Sequence, residues 1–233
     1  MTASRAVAVR AVVALLLMFV PVLLAYAAIP RFNFGWRIEP EHRVVLSSIL
    51  QQSLTVDSAL RGAAAFAQAP PGDGDDLAQS GEFLALASPS EPALLLRSRE
   101  SVSEALAYAP ANPRAWTLLC ELDAAQSSPR IVSCLDTAFA LTQYDWFTAE
   151  RRMRLVAEEW PFLDESLRDK AVNVVLPMWT SPRWVNGWTL QYVLYDLSRS
   201  ANGRQLLRAG FIADRDALRS FNRFVIQVRT DGR

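Results

Sequence analysis

Two hydrophobic regimes divide the chain. Ala11 to Pro30 (AVVALLLMFVPVLLAYAAIP) is an uncharged, mostly apolar run of 20 residues, and Arg5 and Arg10 are the only charged side chains ahead of Arg31. As a helix this run covers about 30 Å, the thickness of a bilayer's hydrocarbon core. Beyond it, apolar residues recur at helical spacing between polar ones. Val44, Val45, Ile49, Leu50, Leu54, Leu60 and Ala64 predict one helix from Pro40 to Ala69, kinked near Thr55-Val56. The stretch Ala69-Pro-Pro-Gly-Asp-Gly-Asp-Asp76 then gathers the strong helix breakers and predicts a loop.

From residue 90 onward the helical pattern repeats. Helix starts are signalled at Asn112-Pro113-Arg114-Ala115-Trp116, at Tyr144-Asp145-Trp146-Phe147 and at Ser181-Pro182-Arg183-Trp184. A capping residue (Asn112, Asp145, Ser181) leads each, twice with proline in the first turn, where its missing N–H costs nothing. The caps are 33 and 36 residues apart, a helical-hairpin period. The first unit predicts helices Pro113 to Ala125 and Arg130 to Leu141 around a turn at Gln126 to Pro129. The second predicts Trp146 to Glu159 and Asp164 to Pro177 around Trp160-Pro161-Phe162. The third runs from Pro182 to about Ser200, turns at Ala201-Asn202-Gly203 and continues less regularly from Asp214 to Val228. A helix from about Glu91 to Tyr108 precedes the first unit. Each hairpin leaves an apolar face that only a neighbour can cover.

The charges around the first apolar run set an orientation. With Arg5 and Arg10 on its N-terminal side, the short tail stays cytoplasmic and the remainder is exported. A cleaved secretory signal is the alternative, because Ala25-Tyr26-Ala27 has the small-x-small form of a cleavage site and Pro21 breaks the helix before it. Both readings put the chain beyond about residue 30 outside the cytoplasm. A retained anchor fits the length of the run better.

Composition narrows the function. The chain is 51% hydrophobic and 21% charged, with 24 basic against 24 acidic side chains. That describes a core-forming protein and argues against a nucleic-acid binder, which needs a net basic face. Beyond residue 30 there are 22 basic and 24 acidic side chains, a net charge of −2. Nothing in that balance points to attraction to anionic lipid beyond the anchor itself.

Candidate chemistry is sparse. The only histidine, His42, stands outside any catalytic motif, and Gly72 and Gly74 lack the Gly-Lys-Ser of a phosphate loop. Asp73, Asp75 and Asp76 fail the spacing of a calcium loop, since the fifth and sixth positions from Asp73 are Leu77 and Ala78. Glu158-Glu159 and Asp164-Glu165 do not make a glycosidase pair, because adjacent helical residues point apart; Arg154 is instead expected to pair with Glu150 and Glu158 at i,i+4 spacing. No metal or cofactor is expected, and the chain reads as non-catalytic.

Two features remain. Cys120 and Cys134 lie about equally far from the turn of the first hairpin, opposite each other, so a disulfide is predicted in an oxidising compartment; two separate buried thiols are the alternative. Six of the seven tryptophans fall within the repeats, and Trp179, Trp184 and Trp188 crowd around Arg183. Trp184 and Trp188 are one helical turn apart, as core residues would be. An aromatic platform beside Arg183 would equally suit a sugar face or a partner peptide.

Glu104-Ala-Leu-Ala-Tyr-Ala-Pro-Ala-Asn-Pro-Arg-Ala-Trp116 resembles the junction between tetratricopeptide repeats, where an Ala-Leu pair ends one helix, proline closes it and an aromatic opens the next. The longer pattern Ala138-Phe-Ala-Leu-Thr-Gln-Tyr-Asp-Trp146, with Arg151-Arg-Met-Arg-Leu155, Trp160, Leu163 and Leu167-Arg168, resembles the periplasmic repeat proteins of bacterial exopolysaccharide and O-antigen gene clusters. The resemblance covers about residues 90 to 228. The eighth position of the first helix lacks the family's small glycine, and the third unit is longer. The expected fold is all-α: a transmembrane or signal-anchor segment (1–30), a juxtamembrane helix and acidic Pro/Gly loop (31–89), and a short solenoid of tetratricopeptide-like hairpins (90–233). The resemblance implies a protein of the bacterial inner membrane with its bulk in the periplasm. Its implied partners are inner-membrane proteins of polysaccharide polymerisation or export. Glycan binding, and a structural place in an unrelated envelope complex, are the alternatives.

Overall fold

The computed structural model describes residues 19–24, 26, 28–34, 55–70, 73–89, 91–142, 146–181, 184–185 and 188–231. It divides into two compact units, Met1–Ser101 and Val102–Arg233, with the division inside one helix, α4 (Ala93–Tyr108). The described residues are almost entirely helical, as the sequence predicts.

In the first unit, α1 comprises the described helical residues 19–24, 26 and 28–34. Residues 1–18, 25 and 27 of the predicted anchor lie outside the described residues. So do residues 35–54 of the predicted juxtamembrane stretch, His42 among them. Among the described residues no helix is long and apolar enough to cross a membrane. The described apolar side chains of α1 are exposed from Phe19 to Phe32, whereas Phe34 is buried. It joins a core with Ala59, Ala63 and Phe66 of α2 (Val56–Phe66) and Phe83, Leu84 and Ala87 of α3 (Gly74–Ala87).

Small residues let these helices approach closely. A Cβ on Gly62 would stand 3.0 Å from the Phe83 ring. Serine hydroxyls then bond across the gap, Ser80 to the Ala63 carbonyl at 2.9 Å and Ser98 to the Gly81 carbonyl at 2.7 Å. The predicted loop at 69–76 is shorter than expected. Asp73 caps α3, accepting from the Asp76 amide, so Gly74 to Asp76 form the first turn of a helix. A capping aspartate outweighs a glycine at this position, and acidic residues in a first turn are favoured by the helix dipole.

The second unit opens with α5 (Pro113–Ala125), capped by Asn112 as predicted, and α6 (Ile131–Thr142). The turn between them is a Schellman closure: Ser128 N–H bonds the Asp123 carbonyl and Ser127 N–H the Ala124 carbonyl, with Ser127 at φ 51°. Next come α7 (Trp146–Glu159), a 3-10 turn at Trp160–Phe162 and α8 (Glu165–Thr180), capped by Asp164. Arg168 holds that turn by donating to the Trp160 and Pro161 carbonyls and lying over the Trp160 ring. Predicted cap Asp145 lies outside the described residues. Packing follows the hairpin order: α5 lies on α6 and α7, and α6 on α8.

Beyond α8 the expected third hairpin is replaced. Ser181 ends α8 instead of starting a helix, its N–H bonding the Pro177 carbonyl. Trp184–Val185 (β1) and Trp188–Thr189 (β2) form a short antiparallel pair, Trp184 opposite Thr189 and Val185 opposite Trp188. Between them the sequence reads Asn186-Gly187, the dipeptide that tight hairpins favour. Then follow α9 (Leu190–Leu197), α10 (Ala201–Gly210) and α11 (Arg215–Thr230). The predicted turn at Ala201–Gly203 is the first turn of α10, because the Ser200 hydroxyl accepts from the Gly203 amide and caps it.

α8 is the hub, packing on α6, α7, α9, α10 and α11. Its crossing with α10 requires a glycine, since a Cβ on Gly210 would come within 2.4 Å of the Val175 Cβ. Gly210→Ala should therefore lower unfolding stability by about 2 kcal/mol, as overpacking does. Adding Val175→Ala should recover part of that in urea melts.

The acidic turn of the first unit yields a second expectation. Burial, then the neighbouring charges of Asp73 and Asp75 and a hydrogen bond with Asp73, push the Asp76 carboxyl up from 3.8 to about 6, against the lowering effect of Arg31. The fold thus holds this proton more tightly than the unfolded chain. The resulting stability is fully present below the unfolded value of 3.8 and is lost as pH rises through about 6. Hydrogen exchange in α3, corrected for intrinsic rate, should show more protection at pH 5 than at pH 7. Asp76→Asn should abolish the difference.

Candidate functional site

The run Arg151-Arg152-Met153-Arg154 ties α7 to three neighbours, because successive helical positions turn by about 100°. Arg151 reaches α5, its Nε and Nη2 forking onto the two carboxylate oxygens of Glu121. Arg152 is 1% exposed and turns into the core, donating to the Ala138 carbonyl and lying 5.4 Å from the centre of the Phe139 ring of α6. Arg154 reaches α9, meeting Asp196 at 3.1 Å and Glu150 at 3.0 Å.

The expected pair with Glu158 is not made; Asp196, on another helix, takes that place. Glu158 and Glu159 form no ion pair among the described residues. Two adjoining open clefts of about 420 and 400 Å³ lie along α7, one against α9 and the start of α10 and the other against α5, with Arg154 and Glu158 on the wall of both. Ala124, Ala125, Ala157 and Ala201 keep the surface low. Around them stand four carboxylates (Glu121, Glu158, Glu159, Asp196) and two guanidiniums (Arg151, Arg154). Such a surface can take up an extended chain by shape, hydrogen bonding and a basic side chain set against Glu158 and Glu159.

No protein-family model, curated protein or solved structure matches this chain. Its function has to be argued from these side chains. Among the described residues no group of three or more His, Cys, Asp or Glu is placed to hold a metal ion.

The residues singled out in the sequence fall in different places. Cys120 and Cys134 are joined, with their Cα atoms 5.5 Å apart, and the bond cross-links α5 to α6 at the residue preceding Glu121. Trp179 is 9% exposed and meets Phe211, Phe221 and Phe224 edge-on, at 6.3, 5.4 and 5.6 Å between ring centres. Its ring thus fills the core between α8 and the last two helices and offers no face to a ligand. Arg183 lies outside the described residues. Trp184 and Trp188 sit on β1 and β2, so the helical-turn spacing expected of them does not arise; their side chains are not described.

The α5, α7 and α9 face was not apparent in the sequence. One signal for it was present: Arg151, Arg154 and Glu158 recur at i, i+3 and i+7 on one side of α7.

The cross-link should matter to this face. Reducing Cys120–Cys134, or replacing both residues by alanine, should cost about 3 kcal/mol, the chain-entropy value for a loop of this size. Urea midpoints measured with and without reductant would read it, and the double variant should lose its sensitivity to reductant.

Proposed function

We propose that this protein is a non-catalytic, exported scaffold, held at the bacterial inner membrane by its N-terminal apolar segment, that grips a partner protein along the α5, α7 and α9 face. The observation carrying the proposal is the pair of adjoining clefts, with their low alanine surface and the carboxylates of Glu158 and Glu159 left for a partner's basic group. The Cys120–Cys134 cross-link supports an oxidising compartment, and the apolar run Ala11 to Pro30 supports an anchor. Tethering raises the effective concentration for a partner in the same membrane, so modest affinity suffices.

The resemblance of residues 90 to 228 to periplasmic tetratricopeptide-like proteins supports a polysaccharide polymerisation or export system as the setting. In this reading α5 to α8 serve as two such hairpins and the last three helices as a divergent cap. The glycan-binding alternative loses one member of its aromatic platform, because Trp179 is in the core.

The test is affinity purification of the C-terminally tagged full-length chain from detergent-solubilised membranes of its own host, followed by mass spectrometry. Inner-membrane components of polysaccharide polymerisation or export should co-purify with the wild type, and their recovery should fall at least about tenfold with Glu158→Arg/Glu159→Arg. Equal recovery with that variant would remove the cleft from the binding site. A polysaccharide that binds the purified chain directly would favour the glycan reading.

A further inference from the structure

The overall charge balance conceals a segregation that the fold puts to use. Residues 31–198 carry 14 basic and 21 acidic side chains, a net charge of −7, whereas residues 199–233 carry eight arginines against three aspartates, a net charge of +5. Four of those arginines lie on α11. Arg215, Arg219, Arg223 and Arg229 recur at spacings of four, four and six residues, which places them within about 120° of one another around the helix. All four are exposed.

The opposite side of α11 is committed to the core through Ala217, Phe221 and Val228. The arginine face is therefore held outward. It extends over about 21 Å of helix. The nearby acids do little to neutralise it: Asp214 is the N-cap, Asp231 is the C-cap, and among the described residues only Asp216 reaches a stripe arginine, Arg219, in a pair exposed on both sides.

Within the stripe, between Arg223 and Arg229, stands Ile226, 63% exposed. Its helical angle falls between those of Arg215 and Arg219. An apolar side chain flanked on its helix face by arginines has a specific use. Guanidiniums fork onto phosphate oxygens, and an isoleucine between them reaches the boundary where acyl chains begin. An acidic polysaccharide would satisfy the arginines but give Ile226 nothing to bury in.

We propose that the Arg215, Arg219, Arg223 and Arg229 face of α11, with Ile226 among them, docks on an anionic phospholipid surface. A net charge of −2 beyond residue 30 hides this because attraction at a membrane acts over about a Debye length, so the local patch matters more than the total.

The test reads α11 alone, so that neither the anchor nor a partner protein can mimic the result. Both native cysteines are in the disulfide, so Asn222→Cys, exposed between the arginines, gives one free thiol for an environment-sensitive fluorophore. The labelled full-length chain is reconstituted in phosphatidylcholine vesicles with and without phosphatidylglycerol. Docking predicts blue-shifted emission only with phosphatidylglycerol, reversed by high salt. Each arginine changed to glutamine should lower the docked-to-free ratio about fivefold, and Ile226→Ser should shift emission back with the arginines intact. Emission unaffected by phosphatidylglycerol would overturn the proposal. So would a response to soluble polygalacturonate in place of vesicles, which would make the face a polyanion site.

Discussion

An arginine side chain stays charged at any pH a protein meets, so one buried in a core must be supplied with acceptors there. Arg152 imposes that demand at the centre of the second unit. Its guanidinium is satisfied in part by the Ala138 carbonyl and the face of Phe139, both on α6, which fixes the rotation of α7 about its own axis. Once that rotation is set, Met153 is buried, Arg151 points to α5 and Arg154 to α9. The clefts and their charges thus descend from where one cation is buried. Replacing such a group breaks more than one contact, because its neighbours were oriented by it.

The second organising contact is geometric. α8 is covered by five other helices, and the crossing with α10 is close because Gly210 has no side chain to oppose Val175. Trp179 at the end of α8 then fills the space left by Phe211, Phe221 and Phe224, burying large aromatic area in edge-to-face geometry. These contacts account for Trp179, Phe211, Phe221 and Phe224 without any ligand. They also hold α11 so that its basic side stays outward.

Opposed charges are thereby sorted onto different surfaces of one unit. The α5, α7 and α9 face carries more carboxylates than guanidiniums, and the exposed side of α11 is dominated by arginine. A chain whose total charge is zero can in this way address two chemically different partners, because each contact senses the charge nearest to it.

Helices α4 to α8 were legible in the sequence because their signals are local: Asn112 with Pro113 opens α5, Asp164 opens α8, and Trp160-Pro161-Phe162 interrupts α7. The Cys120–Cys134 link was legible for the same reason, since two residues symmetric about a turn meet whatever else the chain does. The acidic stretch at 69–76 was misjudged because glycine and aspartate serve both as breakers and as cap, and only the packing of α3 on α2 decides between these roles. The Ser181 region was misjudged because serine followed by proline marks a helix start as readily as a helix end, while Asn186-Gly187 pointed to a hairpin. What the sequence determined alone was helix content, the Asn112 cap and the cross-link, all set by neighbours within about a turn or a hairpin. The choice of Asp196 over Glu158 as the partner of Arg154, the burial of Trp179 and the alignment of α5, α7 and α9 into a cleft were decided by tertiary structure, because each depends on residues distant in sequence that only packing brings together.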